Sequence, residues 1–224
     1  MSEPIHLRPA AELAPRVLLP GDPHRALAVA QDLLEEPRMF NHHRGLWGYT
    51  GAADDGELLS VQATGMGGPS AAIVVEELIG LGARTLVRIG TCGALNPGLM
   101  LGELLAVEAA LATDGTSRAL GAGERVVPDP QILAALAEQT GKSCLAASTD
   151  LFYGEGSGTG PADVVEMEAA TVFQVARNAG VQAGCLLGVT DLIGADGRRR
   201  IDHEGLEALG LELGRTAYAA LATR

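Results

Sequence analysis

The chain has 224 residues, 47% of them apolar, and a formal net charge of −12. Such a length and apolar share suit one globular domain over 1–224 with a substantial core, and the acidity disfavours nucleic acid and anionic membranes, which are held mainly by cationic patches. Three scattered cysteines with no Cys-x-x-Cys pair argue against a disulfide framework or a zinc site; with no signal-peptide core in 1–8 and no run near the roughly 20 apolar residues that span a bilayer, a cytoplasmic protein is expected.

The first predicted element is a short buried strand over 16–19, broken by Pro20-Gly21-Asp22-Pro23. A helix over about 24–34 follows, with Asp22 as its N-cap and Pro23 at its first position. Residues 41–51 are turn-rich and lead into a hairpin whose turn is Asp54-Asp55-Gly56. His42 and His43 are adjacent and would face opposite sides of a strand, so metal binding is not expected there. A strand over 57–63 runs into the glycine-rich turn 64–70 and a helix to about 81, which Gly82 ends. Next come a strand over 84–89, another over 102–110, and a polar excursion over 114–130 to which no chemistry is assigned. The chain continues with a helix over 131–139, a strand over 143–148, a flexible stretch over 154–160, and a helix over 164–179 with Asp163 as its cap. A buried strand over 182–189 ends in Thr190-Asp191, and a charged loop over 196–200 precedes a terminal helix over about 202–222. Strands and helices alternate without repeats or linkers, which predicts a single α/β domain with helices on both faces of a mostly parallel or mixed sheet.

Polar groups inside apolar runs mark the candidate chemistry. Arg88 sits in the strand Leu86-Val87-Arg88-Ile89, where a guanidinium needs either a protein carboxylate or an anionic ligand. Gly90-Thr91-Cys92-Gly93 would then form a turn that lets the backbone approach a ligand at the strand end. Arg25 in the first turn of its helix could serve an anion site at the helix N-terminus, although on this segment alone a solvated surface arginine is the commoner outcome. Glu166 and Glu168 open an apolar helix, and residues two apart on a helix point to different faces, so only one should enter a pocket. A carboxylate there could accept both hydroxyls of a ribose diol, or simply complement the helix dipole. Asp191, just past an apolar strand, is either a general acid or a loop hydrogen-bond acceptor.

Five segments in order resemble the nucleoside phosphorylase family, which includes the hexameric bacterial purine nucleoside phosphorylases and the uridine phosphorylases. They are Pro20-Gly21-Asp22-Pro23-His24-Arg25, Arg44-Gly45 with Gly48-Tyr49-Thr50-Gly51, Thr64-Gly65-Met66-Gly67-Gly68-Pro69-Ser70, Arg88-Ile89-Gly90-Thr91-Cys92-Gly93-Ala94 and Val165-Glu166-Met167-Glu168-Ala169-Ala170. The resemblance implies a central mixed sheet, partly barrel-like, flanked by helices. It implies a phosphate site of Gly21, Arg25, Arg88 and Thr91, completed by Arg44 from a neighbouring subunit. Met66, Glu166, Met167 and Glu168 match the nucleoside side, Phe152 an aromatic beside the base, and His6 a residue lent by the neighbour to the ribose 5′-hydroxyl. Asp191 matches the acid that protonates purine N7, and Arg198 is the expected helper among the three successive arginines. A homo-oligomer, a hexamer built as a trimer of dimers, would follow, with phosphate as cosubstrate and no metal or organic cofactor.

The substrates implied are a purine nucleoside and phosphate, because the short segment 154–163 holds neither the glutamine nor the arginine with which uridine phosphorylases grip uracil. The stretches Gly67-Gly68-Pro69-Ser70 and Val75-Glu76-Glu77-Leu78 nevertheless resemble the uridine branch. A hydrolytic nucleosidase acting on methylthioadenosine or adenosylhomocysteine is a further alternative, although a water nucleophile does not call for Arg25, Arg44 and Arg88 together. A non-catalytic nucleoside-binding protein would have no need of Glu168 and Asp191 together.

Overall fold

Residues 4–153, 159–194 and 197–222 are described by the structure, a computed structural model. In chain order the strands and helices are β1 (Arg16–Pro20), α1 (Pro23–Leu33), β2 (Glu35–Asn41), a 3-10 turn (His43–Gly45), β3 (Gly48–Ala52), β4 (Leu58–Gln62), α2 (Gly68–Leu81), β5 (Thr85–Ala94), β6 (Leu104–Ala112), α3 (Gly115–Ala119), β7 (Arg125–Val126), α4 (Pro130–Thr140), β8 (Ser143–Ser148), β9 (Val164–Glu166), α5 (Ala169–Ala179), β10 (Gln182–Gly194), β11 (Gly197–Arg200) and α6 (His203–Ala222).

One mixed sheet carries all of these strands, and part of it closes on itself. β5 pairs with β10, β10 with β6, β6 with β8, β8 with β9, and β9 returns to β5, so five strands form a ring. From β5 an open wing runs outward through β1, β4, β3 and β2. α1, α4 and α6 pack together on one face, and α2, α3 and α5 on the other. Alternate residues of β5 serve the two cores: Leu86 joins the α2 and α5 side, whereas Val87 and Ile89 join the α1, α4 and α6 side. Where the sheet and helices come closest there is no room for a side chain; a Cβ on Gly184 of β10 would lie 2.2 Å from Ile132 Cγ2 on α4.

Several sequence expectations are corrected. The segment Gly90-Thr91-Cys92-Gly93 is not a turn: β5 runs straight through it, because β10 pairs with β5 over its whole length, with one register shift between Val189 and Asp191. On its other edge β1 stops at Ile89, and β9 takes over only at Gly93. No strand pairs with that edge between those points, and this gap positions the site. The helix expected over 164–179 begins at Ala169, since Val164–Glu166 is a strand held by β5 and β8. Asp163 is not its cap; its carboxylate accepts from Leu145 N and Asn96 Nδ2 instead. β10 extends to Gly194, and of the charged loop Gly197–Arg200 is a strand, β11, paired antiparallel with it, while Asp196 lies outside the described residues. The excursion 114–130 contains α3 and β7. β2, in a stretch where no element was expected from the sequence, is an edge strand with register shifts, where a proline is tolerated. Asp22 caps α1 as expected, accepting from His24 N at 3.0 Å.

Candidate active site

The gap beside β5 opens into a cavity of about 480 Å³ walled by the β1–α1 turn, the glycine-rich turn before α2, β5, the β9–α5 junction, β10 and β11. Each wall carries residues singled out from the sequence: Gly21 and Arg25, Met66, Arg88 and Thr91, Glu166 to Glu168, Asp191, and Arg198, with Phe152 at the rim. His6 and Arg44 are not part of it.

Arg88 is buried and has the carboxylate partners that a buried guanidinium requires. Its Nε donates to Glu166 Oε2 at 3.0 Å, and Nη2 lies 2.5 Å from Glu168 Oε2. The guanidinium folds back over Gly90, where a Cβ would stand 2.6 Å from Nη2, so this position must be glycine for Arg88 to turn toward its carboxylates. Burial alone would lower the Arg88 pKa, but the Glu168 and Glu166 charges outweigh it and the net direction is upward. Both glutamates therefore enter the cavity wall, against the helical expectation. Residues two apart share a face on an extended segment, and the chain is extended at Glu166 before α5 starts.

The two carboxylates have different second tasks. Glu166 accepts from Glu168 N and Ala169 N at 2.9 to 3.0 Å, which satisfies free N–H groups at the start of α5. Ser148 Oγ also donates to it and accepts from Ala170 N. Burial raises the Glu166 pKa, with Arg88 opposing. Glu168 Oε1 accepts from Gly67 N at 2.5 Å, tying the glycine-rich turn to the α5 start.

Arg25 differs from Arg88 in having no hydrogen bond or ion pair among the described residues. Its aliphatic stem packs on Gly210 of α6, and burial followed by the nearby charge of Arg88 lowers its pKa, with Asp22 opposing. Arg88 is already paired with two carboxylates, so the positive charge left over in this wall is that of Arg25, in the first turn of α1, where an anion would be favoured.

Across the cavity, Asp191 is buried at the end of β10. Its Oδ2 accepts from Thr190 Oγ1 at 2.9 Å, whereas Oδ1 is buried without a hydrogen bond. Arg200 Nε lies 3.1 Å from Oδ1 and Arg198 Nε 3.9 Å, so both contacts are ion pairs rather than aligned hydrogen bonds. The β10–β11 register explains which arginines reach it: Asp191 is opposite Arg200 and Ile193 opposite Arg198, while Arg199 projects from the other face. The Arg198 guanidinium also lies 4.6 Å over the Phe152 ring. Ser148 and Thr190 were missed from the sequence, and Arg200, one of the three successive arginines, was passed over in favour of Arg198. A period-two reading of the arginine run would have separated Arg198 and Arg200 from Arg199.

His6 and Arg44 lie together elsewhere. His43 Nδ1 bonds to His6 O at 2.8 Å, which joins the N-terminal segment to the 3-10 turn where Arg44 is exposed at φ 60°.

A family model described as the phosphorylase superfamily matches residues 15–223. The chain belongs to this superfamily. It is similar to a uridine phosphorylase of Thermococcus kodakarensis, 37% identical over 204 residues that cover 80% of this chain and 73% of the relative. It is also similar to DeoD-type purine nucleoside phosphorylases. That of Geobacillus kaustophilus is 36% identical over 81% of this chain and 83% of the relative, and that of Alkaliphilus metalliredigens 32% identical over 90% and 95%. A solved uridine phosphorylase from Vibrio fischeri, complexed with 6-hydroxy-1-naphthoic acid, has the same fold, with a TM-score of 0.82, 23% identity and coverage of 95% of this chain and 93% of that one. The chain is thus a nucleoside phosphorylase family enzyme, a pentosyltransferase, and the partly closed sheet expected from its motifs is the one observed.

Proposed function

We propose that this protein cleaves purine ribonucleosides and deoxyribonucleosides with inorganic phosphate, releasing the free base and (deoxy)ribose 1-phosphate for purine salvage. The observation that carries this reading is the Arg25 guanidinium, without a hydrogen bond or ion pair among the described residues, in the same cavity as Arg88, Glu168 and Asp191, whose Oδ1 has only the Arg198 and Arg200 ion pairs and no hydrogen bond. Phosphate sits between Arg25, Arg88, Thr91 and the α1 N-terminus at Gly21, with Arg44 of a neighbouring subunit closing the site. Glu168, beside Glu166 and Met167, takes the ribose hydroxyls; Met66 and Phe152 lie at the mouth toward sugar and base. A phosphate oxygen attacks C1′ as the C1′–N9 bond breaks, and the bonding pair leaves with the purine. Asp191 donates a proton to N7, and a neighbouring arginine, Arg198 or Arg200, stabilises the carboxylate that results. The nucleophile is the cosubstrate, so the chemistry calls for positioning and charge rather than for a metal or cofactor.

Asp191 supports the purine reading, as does a 154–163 segment containing neither glutamine nor arginine. The uridine reading is favoured by the Thermococcus relative. Incubating adenosine, inosine, guanosine and uridine with and without phosphate separates them. Turnover of purine nucleosides only with phosphate is expected; equal turnover without phosphate would mean a nucleosidase, and turnover of uridine alone a uridine phosphorylase.

The assembly we propose is a hexamer built as a trimer of dimers in the cytoplasm. Supporting it, His6 and Arg44 lie on one joined patch outside their own subunit's cavity. A fully active monomer in sedimentation would overturn their loan to a neighbour.

A further inference from the structure

The N-terminal segment is fastened to α2 by a single carboxylate. Glu77 accepts from the backbone N–H groups of Ile5 at 3.0 Å, His6 at 3.0 and 3.1 Å, and Leu7 at 2.7 Å. Its Oε1 also lies 2.7 Å from His6 Nδ1. Burial works to raise the Glu77 pKa, and the N–H donors outweigh it, so the group stays ionised at neutral pH. An ionised carboxylate only accepts, so Nδ1 of His6 must carry a proton. Nε2 makes no hydrogen bond among the described residues, and the imidazole remains 30% exposed. Four donors on one carboxylate are more than holding a chain end requires, and the fourth fixes the ring and its tautomer.

We infer that Glu77 is a positioning residue for His6, holding the imidazole as the Nδ1–H tautomer so that Nε2 presents an acceptor to the sugar 5′-hydroxyl in a neighbouring subunit's site. This rests on the proposed phosphorolysis and on the loan of His6. Selectivity for a 5′-hydroxyl therefore originates in a residue of α2 that touches no substrate.

The test compares a purine nucleoside with its 5′-deoxy counterpart, in the presence of phosphate, as substrates of the intact oligomer. Wild-type enzyme is expected to favour the 5′-hydroxyl. In Glu77→Gln the amide group confronts N–H donors and releases the ring, so KM for the hydroxylated substrate should rise about tenfold while that for the 5′-deoxy substrate stays unchanged. His6→Ala should do the same, and combining the two should add nothing. Equal losses on both substrates, or none on either, would reduce Glu77 to a structural anchor and overturn the inference. A wild-type enzyme that cleaves neither substrate with phosphate would instead overturn the reading on which it rests. If Glu77→Gln does not fold, 15N spectra of histidine-labelled wild-type protein decide: an Nδ1–H tautomer at His6 is expected, and an Nε2–H tautomer overturns the proposal.

Discussion

The two halves of the cavity are built differently. On the side proposed to take the anion and sugar, Arg88 comes from the central strand, Glu166 from the ring strand beside it and Glu168 from the start of α5; they expose 5%, 0% and 8% of their side chains and bond to one another. On the side proposed to take the base, Arg198 and Arg200 come from β11, paired with β10, expose 36% and 61%, and meet Asp191 only as ion pairs. Charges in the first half act in a fixed, buried frame, whereas in the second the two arginines that face the buried Asp191 are screened by solvent. Under the proposed function, phosphate and ribose chemistry is therefore committed by the fold itself, and base selection rests on side chains that can change without disturbing the core.

Arg88→Ala should have the largest effect, because it removes a proposed phosphate ligand and also strands two carboxylates. Phosphorolysis is expected to fall by about a thousandfold or more, and stability at neutral pH by about 3–5 kcal/mol. The sign of the pH dependence follows from Glu166, which burial already raises. A raised carboxyl contributes stability below its unfolded pKa and loses it as pH rises through the folded one. Without Arg88 to oppose it the Glu166 pKa climbs further, so the deficit should be smaller at about pH 5 than at about pH 8. Denaturant midpoints at the two pH values check this. A deficit independent of pH would break the contrast between the halves.

Asp191→Asn comes next, with an expected loss of about a hundredfold for adenosine and less for inosine. The amide cannot donate a carboxyl proton, and a 6-oxo base leaves more readily without one. Equal losses in kcat/KM for both substrates would remove N7 protonation from this side chain. Arg25→Ala then separates ligand binding from stability inside the anion half. Arg25 has no hydrogen bond or ion pair among the described residues, so its loss should raise KM for phosphate about tenfold while the melting temperature barely moves. A drop in stability like that of Arg88→Ala would show that the two arginines are not divided in this way.

Much of this arrangement was legible in the sequence, and the failures have physical causes. Strong local signals were read correctly: Pro-Gly-Asp-Pro before α1, Asp-Asp-Gly in the β3–β4 hairpin, and Gly82 after α2. The errors lie where distant strands decide the local state. Gly90 to Gly93 reads as a turn because of its glycines, yet β10 keeps it extended. Val164 to Glu166 has helical neighbours, yet β5 and β8 capture it. From the second error came the expectation that only one glutamate enters the cavity. Arg88 showed two alternatives, a protein carboxylate or a ligand; the structure supplies two carboxylates and places the group in the cavity wall as well. The sequence could not rank Arg198 against Arg200, because that order depends on the β10–β11 register.

The smallest effects should come from that pair, and they test how far the base half is screened. Arg200 is nearer to Asp191 but 61% exposed, and Arg198 is farther but stacked on Phe152 and part of the cavity wall. An arginine that stabilises the carboxylate left after proton transfer acts on kcat, and one that walls the base acts on KM. Arg200→Ala is therefore expected to lower kcat for adenosine by about threefold to fivefold, in line with the small worth of exposed ion pairs, and more at low salt than at high salt. Arg198→Ala should instead raise KM for the nucleoside by a similar factor, through loss of its contact with Phe152. If Arg198→Ala lowers kcat and Arg200→Ala does nothing, the nearer arginine is only a surface partner, and the side chain inside the wall stabilises the acid's charged form.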